Sequence, residues 1–282
     1  MFTRPRRPDL AGDRLIRLLR RARRSAGLTQ RSLARRSKIP QPTIAAIETG
    51  RQDPRFETLR SLVESCGRDV ATVQRPGHGV DRTQIRELLR LTPGQRLRLA
   101  AEDARGLERL LRAAKTMSDR GFDPVAALQI LVAHSVDFVV IGGIAGRLWG
   151  SAMITRDLDI CYARAPANLE RLAAALQQVH ARLRGVKEEV PFCLDARTLG
   201  AGDSFTFTSD VGDLACLGTP TGTGGYDDLK ADAEQMDVDG LKVWVTSLAD
   251  LMDMKRAAGR NKDLQALENL GALRDERERR RR

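Results

Sequence analysis

Apolar residues recur at three- and four-residue intervals through the first 65 positions, and each run stops at a turn residue. Asp13 to Ala26 sets Ile16, Leu19, Ala22 and Ala26 on one face, which predicts an amphipathic helix ended by Gly27. Thr29 is placed to cap a second helix from Gln30 to Ser37, with Leu33 and Ala34 inward. After the turn Lys38-Ile39-Pro40, a third helix from Gln41 to Thr49 turns Ile44 and Ile47 inward and stops at Gly50. Asp53-Pro54 opens a fourth helix through Glu64, burying Leu59, Leu62 and Val63.

The period then changes. Asp81 to Met117 is a Leu- and Arg-rich helical stretch with a stop and restart at Thr92-Pro93. Asp123-Pro124 caps a helix to His134. Strands and helices alternate from there: strands at Val136–Ile141, Leu158–Tyr162, Ser204–Thr208, Asp213–Leu217 and Leu241–Thr246, and a helix from Pro166 to about Leu183. Ser247 and Asn261 each begin a terminal helix, and the closing arginines are expected to form a disordered tail. The expected architecture is multidomain: an all-α helix-turn-helix domain at 10–72, a linker at 73–80, a helical connector at 81–118, an α/β domain with a mixed sheet and flanking helices at 119–274, and a basic tail at 275–282.

Composition narrows the class. Of 282 residues 41% are hydrophobic and only 4% aromatic, so aliphatic side chains fill the core. No apolar run approaches the ~20 residues of a membrane helix, and the basic N-terminus lacks the apolar stretch of a secretory signal. A cytoplasmic protein is expected, with Cys66, Cys161, Cys193 and Cys216 as buried free thiols.

Charge is distributed unevenly. Residues 1–75 carry 18 Lys and Arg against 7 Asp and Glu, and the rest of the chain carries 30 of each sign. The whole net charge of +11 therefore sits in the first quarter, as a module facing a polyanion would have it. A basic module used only for dimerisation is the alternative.

The segment LTQRSLARRSKIPQPTIAAIETGRQDP joins these signals. Leu28-Thr29-Gln30, Leu33-Ala34, Ile39, Ile44, Ile47-Glu48-Thr49-Gly50, Pro54 and Leu59 resemble the lambda-repressor/Cro-type (xenobiotic-response-element type, XRE) helix-turn-helix family. The resemblance implies binding to double-stranded operator DNA, commonly as a homodimer, with the third helix in the major groove. Gln41 and Thr43 are the candidates for base edges, Gln30 and Arg51 for phosphates, and Arg35, Arg36 and Lys38 add charge near the turn. Ala45-Ala46 on the groove face leave few base contacts, so DNA shape would carry part of any specificity.

A second motif is VDFVVIGGIAGRLWGSAMITRDLDICYA. A strand ends in Gly142-Gly143, a short helix follows, and Asp157-x-Asp159 opens the next strand. Strand residues at i and i+2 share a face, and two carboxylates there repel unless a cation lies between them. Hard oxygen donors suit Mg²⁺, which would hold the triphosphate of an NTP. Glycines before a helix let backbone N–H groups approach phosphate.

This pattern resembles the nucleotidyltransferase superfamily, and more closely the bacterial abortive-infection and toxin–antitoxin nucleotidyltransferases. GGYDDL, GLKVWVTSLADLMDMKRAAGRNKDLQALENL and LLRLTPGQRLRLAAEDA extend the likeness over roughly residues 85–272. The resemblance implies nucleotide transfer from an NTP to an RNA such as tRNA or to a protein, with autoregulation of the operon. It assigns Gly142 and Gly143 to phosphate, Thr155 and Arg156 to the site lining, and Asp157 and Asp159 to the metal and catalysis. It also assigns Lys255, Lys262 and Asp263 to the nucleotide end of the site.

In that family a third carboxylate comes from a later strand in a Leu-Asp-Leu-Leu-Gly-like pattern. Here the strand reads Gly212-Asp213-Leu214-Ala215-Cys216-Leu217-Gly218, so the expected position holds Ala215, and Asp213 lies two residues earlier. Asp213 is either a displaced catalytic base or a bystander. Two functions stay open: an Mg²⁺-dependent transferase fused to its own DNA-binding regulator, or a regulator whose transferase domain is degenerate. A third is an antitoxin-like protein that binds a partner toxin. His78, His134 and His180 share no metal motif, Trp149 and Trp244 are expected in the core, and Thr219–Gly225 lacks the ending of a phosphate loop.

Overall fold

The computed structural model describes residues 10–71, 74–113, 121–185 and 192–281, with the side chains of 10–17, 112 and 113 excepted. The chain divides into two compact units, residues 1–74 and 75–282. Among the described residues no helix is long and apolar enough to cross a membrane.

The described residues of the first unit form four helices: α1 (Leu10–Ser25), α2 (Gln30–Ser37), α3 (Gln41–Glu48) and α4 (Phe56–Ser65). Their core is Leu19, Ala22, Leu33, Ile44, Ile47, Leu59, Leu62, Val63 and Cys66. The helical period selects all of these except Cys66, which lies just past α4, and Ala26 and Ala34, expected inward, are half-buried against that core. Ile16, expected inward, lies outside the described side chains. The Thr29 hydroxyl accepts from the Ser32 N–H at 3.1 Å and so satisfies one orphan donor of α2. The fourth helix begins at Phe56 rather than at Asp53-Pro54, two residues beyond the proline.

The second unit opens with α5 (Thr83–Leu88), α6 (Pro93–Ala113) and α7 (Pro124–Ala133). The Asp123 carboxylate caps α7, accepting from the Val125 and Ala126 N–H groups. The chain then runs β1 (Phe138–Ile141), α8 (Gly142–Trp149), β2 (Asp157–Tyr162), α9 (Pro166–Gln178), β3 (Arg182–Leu183), α10 (Ala196–Ala201), β4 (Ser204–Ser209) and β5 (Gly212–Leu217). It ends with α11 (Tyr226–Asp232), β6 (Glu234–Val238), β7 (Leu241–Val245), α12 (Leu248–Ala258) and α13 (Asn261–Arg281). Among the described residues seven strands form one sheet in the order β3-β4-β5-β2-β1-β7-β6. The β2–β5 and β1–β7 pairs are parallel and the others antiparallel, so the sheet is mixed. The architecture is thus an all-α helix-turn-helix unit plus an α/β unit.

Two expected elements also end differently. The helix from Pro166 stops at Gln178, and His180 takes a positive φ of 48° before the chain enters edge strand β3. The arginine-rich end is not a disordered tail: α13 continues through Arg281. Its reason is a set of partners invisible in the sequence run. Glu276 is buried and accepts from Arg86 at 3.1 Å, and Arg280 donates to the Leu89 carbonyl at 2.8 Å. Arg75 pairs with Asp275 at 3.0 Å and Glu278 at 2.9 Å. Gly77 lies so close to α13 that a Cβ there would stand 2.5 Å from the Ala272 nitrogen. Residues 75–89 are therefore bound along α13.

Arg96 and Arg147 lock α6 to α8. The buried Arg96 guanidinium donates to the Leu88 and Leu148 carbonyls at 2.8 and 2.6 Å, and burial lowers its pKa to about 10. Arg147 pairs with Asp103 at 2.7 Å. Trp149 is core, donating to the Thr246 carbonyl at 2.8 Å, whereas Trp244 is half-buried beneath the Lys230 ammonium. Cys66, Cys161 and Cys216 are buried free thiols, and Cys193, expected to be buried, is exposed.

Candidate functional site

A cavity of about 960 Å³ opens on the second unit where β1 and β2 meet α8. Alternation along β2 and β5 decides what faces it: Asp157 and Asp159 on β2, and Asp213, Ala215 and Leu217 on β5. Parallel pairing sets Asp157 beside Asp213 and Asp159 beside Ala215. The methyl of Ala215 thus occupies the place next to Asp159.

The two glycines have a local reason. Gly142 has φ +65°, and a Cβ on it would fall 1.8 Å from the Asp159 Oδ2. A Cβ on Gly143 would fall 2.3 Å from the Thr155 hydroxyl. Asp159 also accepts the Gly143 backbone N–H, so its carboxylate sits at the N-terminus of α8. Both glycines make room for the protein's own Asp159 and Thr155, a packing reason additional to any approach by phosphate. Thr155 in turn donates to the Asp157 Oδ1 at 2.8 Å.

Electrostatics separate the carboxylates. Burial, and then the adjacent Asp157, push Asp159 up to about 6, against the pull of Lys255, the Gly143 N–H and Lys262. Asp263, in the first turn of α13, is fully buried. Burial acts to raise it, but hydrogen bonds from Arg260 at 2.6 Å and Lys255 at 3.0 Å outweigh that and hold it at about 2. Asp263 therefore positions two cations of the cavity wall. Ser247 caps α12 and Gly259, at φ +64°, ends it, which brings Lys255 to α13.

Asp213 is engaged elsewhere. Its Oδ2 accepts from Arg184 at 2.8 Å and its Oδ1 from the Thr208 hydroxyl at 3.0 Å. Among the described residues no group of three Asp, Glu, His or Cys is arranged to hold a metal ion. The donor set that fits a divalent cation is the Asp157–Asp159 pair, and Mg²⁺ is commonly held by one or two carboxylates with phosphate and water completing its shell.

Gly142, Gly143, Thr155, Arg156, Asp157, Asp159, Asp213, Lys255 and Lys262 all line this one cavity, with Asp263 behind Lys255. Arg184 and Arg260 line it as well and were not anticipated. The spacing of Arg260 three residues before Asp263 was a readable sign; nothing in the sequence marks Arg184.

In the first unit, a buried ionic network underlies α3. Glu48 is 3% exposed and accepts from Arg23 at 2.7 and 2.8 Å and from the Gln30 amide at 2.8 Å. Burial acts to raise the Glu48 carboxyl, and these hydrogen bonds outweigh it, so its pKa lies below the ordinary value. Gln41 donates to the other end of Gln30 at 2.9 Å. Gln30 is thus held at both ends within the unit. Arg35, Arg36, Lys38 and Arg51 are exposed, and Thr43 is half-buried.

Residues 14–75 match the helix-turn-helix domain family. The chain is also similar to a Haemophilus influenzae protein described as an uncharacterized HTH-type transcriptional regulator, 37% identical over 59 residues. That match covers 21% of this chain and 60% of the relative, so the chain spans less than two thirds of the relative's length. The N-terminal unit is a helix-turn-helix domain; the family match does not extend into the α/β unit beyond residue 75.

Proposed function

We propose that this protein is a DNA-binding transcriptional regulator whose α/β unit binds an Mg²⁺–nucleoside triphosphate in the Asp157–Asp159 cavity. The carrying observation is the pairing of two carboxylates on one strand face with Lys255, which Asp263 holds at the cavity wall. Asp157 and Asp159 hold the cation, and Lys255, Arg260 and Lys262 face the phosphates. The cation supplies charge neutralisation between carboxylates and phosphates. Ala215 beside Asp159 leaves that position without a carboxylate, so the favoured role is binding rather than transfer.

The helix-turn-helix domain, the basic first quarter and the relative described as a regulator support the DNA-binding half of the reading. Gln41 and Thr43 face base edges, and Arg35, Arg36, Lys38 and Arg51 face phosphates. Gel shifts with the operon's own upstream DNA test it. Affinity should fall steeply with salt and be lost on deletion of residues 1–75. Equal affinity of the truncated chain would refute it.

Nucleotide transfer is the second reading, favoured by one observation: Asp213 lines the same cavity, in register with Asp157. Radiolabel transfer from each NTP to RNA or to protein, by wild type and by Asp213→Asn, tests it. Transfer abolished by Asp213→Asn would promote it over binding alone.

A further inference from the structure

We propose that Arg184 and Asp213 form an anion-released latch, in which an arriving polyphosphate takes the Arg184 guanidinium and frees the Asp213 carboxylate to join Asp157 at the divalent cation. The proposal rests on the Mg²⁺–nucleotide reading above and adds a conditional ligand to it.

Three observations carry it. Asp213 is the cross-strand partner of Asp157 and faces the same cavity, so its distance from the pair is set by neighbouring strands rather than by loop motion. In the closed arrangement, both its oxygens are engaged, by Arg184 at 2.8 Å and Thr208 at 3.0 Å. The side chains of Arg184 and Asp213 remain 44% and 35% exposed, in the cavity wall. An ion pair so exposed is weak, and Arg184 gives Asp213 a single hydrogen bond, whereas a polyphosphate offers several oxygens and a larger charge for a bidentate contact. Exchange of one anion for the other at Arg184 is therefore accessible. The displaced carboxylate has a cation to receive it only when metal accompanies the phosphate.

The latch also accounts for the basic residue that the sequence did not mark. Arg184 follows edge strand β3, whose short antiparallel pairing with β4 sets Arg182 opposite Thr208 and Arg184 level with Thr206, and the Arg184 guanidinium reaches diagonally to Asp213, the β5 partner of Thr208. Its backbone N–H donates to the Thr206 carbonyl at 2.9 Å, so the guanidinium swings from an anchored base.

Calorimetry of the full chain tests this with inorganic triphosphate as probe, once metal-free and once as its Mg²⁺ complex. The ratio of the two affinities measures the gain from metal. Asp213→Asn keeps the shape and the Thr208 contact, and the latch expects it to cut that ratio about tenfold. Arg184→Gln should weaken both forms about tenfold, with Arg184→Lys between it and wild type. Thermal unfolding of each variant checks that it is folded. Parallel titrations with Mg²⁺–ATP and Mg²⁺–GTP distinguish a nucleotide from free polyphosphate as the natural ligand. An unchanged ratio in Asp213→Asn, with wild type binding the Mg²⁺ complex, overturns the latch alone. No binding of any Mg²⁺–polyphosphate by wild type overturns both the latch and the reading beneath it.

Discussion

Ala215 is the cross-strand partner of Asp159, on the cavity face of adjacent parallel strands. The acidic neighbour that raises Asp159 is consequently Asp157, along its own strand. A carboxylate in place of the Ala215 methyl would crowd a third negative charge against that pair.

Ala215→Asp is accordingly expected to destabilise the metal-free protein by about 1–2 kcal/mol through like-charge repulsion. Mg²⁺ should restore stability to the variant by more than it adds to wild type. Thermal melts with and without Mg²⁺ check this. Equal shifts in both proteins would show that position 215 does not communicate with the pair.

Gly142→Ala should be far more costly than its size suggests. The backbone is left-handed there, and the new methyl would stand 1.8 Å from the Asp159 carboxylate. Conformational strain and overpacking together amount to about 2–4 kcal/mol. Denaturant unfolding measures it. A loss under about 0.5 kcal/mol, the range of an ordinary surface change, would mean that the turn is not as tight as described.

Two carboxylates should titrate with opposite sign. Asp159, raised to about 6, contributes stability at acidic pH that is lost as pH rises through 6; Asp159→Asn should therefore stabilise the metal-free protein at pH 8. Asp263, held at about 2, contributes stability above the ordinary carboxylate range that is lost as pH falls toward 2. Asp263→Asn should cost about 2 kcal/mol at neutral pH, and the cost should vanish in acid. Stability profiles of both variants from pH 2 to 8 provide the check, and parallel curves for the two would contradict the assignment.

What the sequence revealed follows from where each signal resides. Caps and periods are local, so Thr29, Asp123 and Ser247 mark helix starts, and Leu33, Ile44 and Leu62 mark the small core. The Gly-Gly and Asp-x-Asp residues were legible as a group because their types are rare together. Partners distant in the chain were not. Edge strand β6 has the polar pattern Glu-Gln-Met-Asp-Val, and its strand character comes from pairing with β7. Helix α9 looked longer because Val179 and Leu183 continue an apolar run that the fold divides between a turn and a strand. The α13 end looked like a tail because the partners of Glu276 and Arg280 lie some 190 residues upstream.

The Glu48 network is the corresponding blind spot of the first unit, since Arg23 and Glu48 are 25 residues apart. Glu48→Ala leaves Arg23, 12% exposed, without its carboxylate. Breaking a buried pair in this way costs about 3–5 kcal/mol. Urea unfolding of the full chain should show the loss, with weaker DNA binding because the Gln30–Gln41 arrangement loosens. A midpoint matching wild type would contradict the role given to Glu48.

Asp157 and Asp159 are proposed to hold a divalent cation together with a nucleoside triphosphate. Calorimetric titration of Mg²⁺–NTP into wild type, Asp157→Asn and Asp159→Asn tests it most directly. Saturable, Mg²⁺-dependent binding is expected of wild type, and a loss of at least tenfold in each variant with melting not lowered and DNA affinity retained. Nucleotide binding that is indifferent to Mg²⁺ and to both substitutions, or absent from wild type, would contradict it.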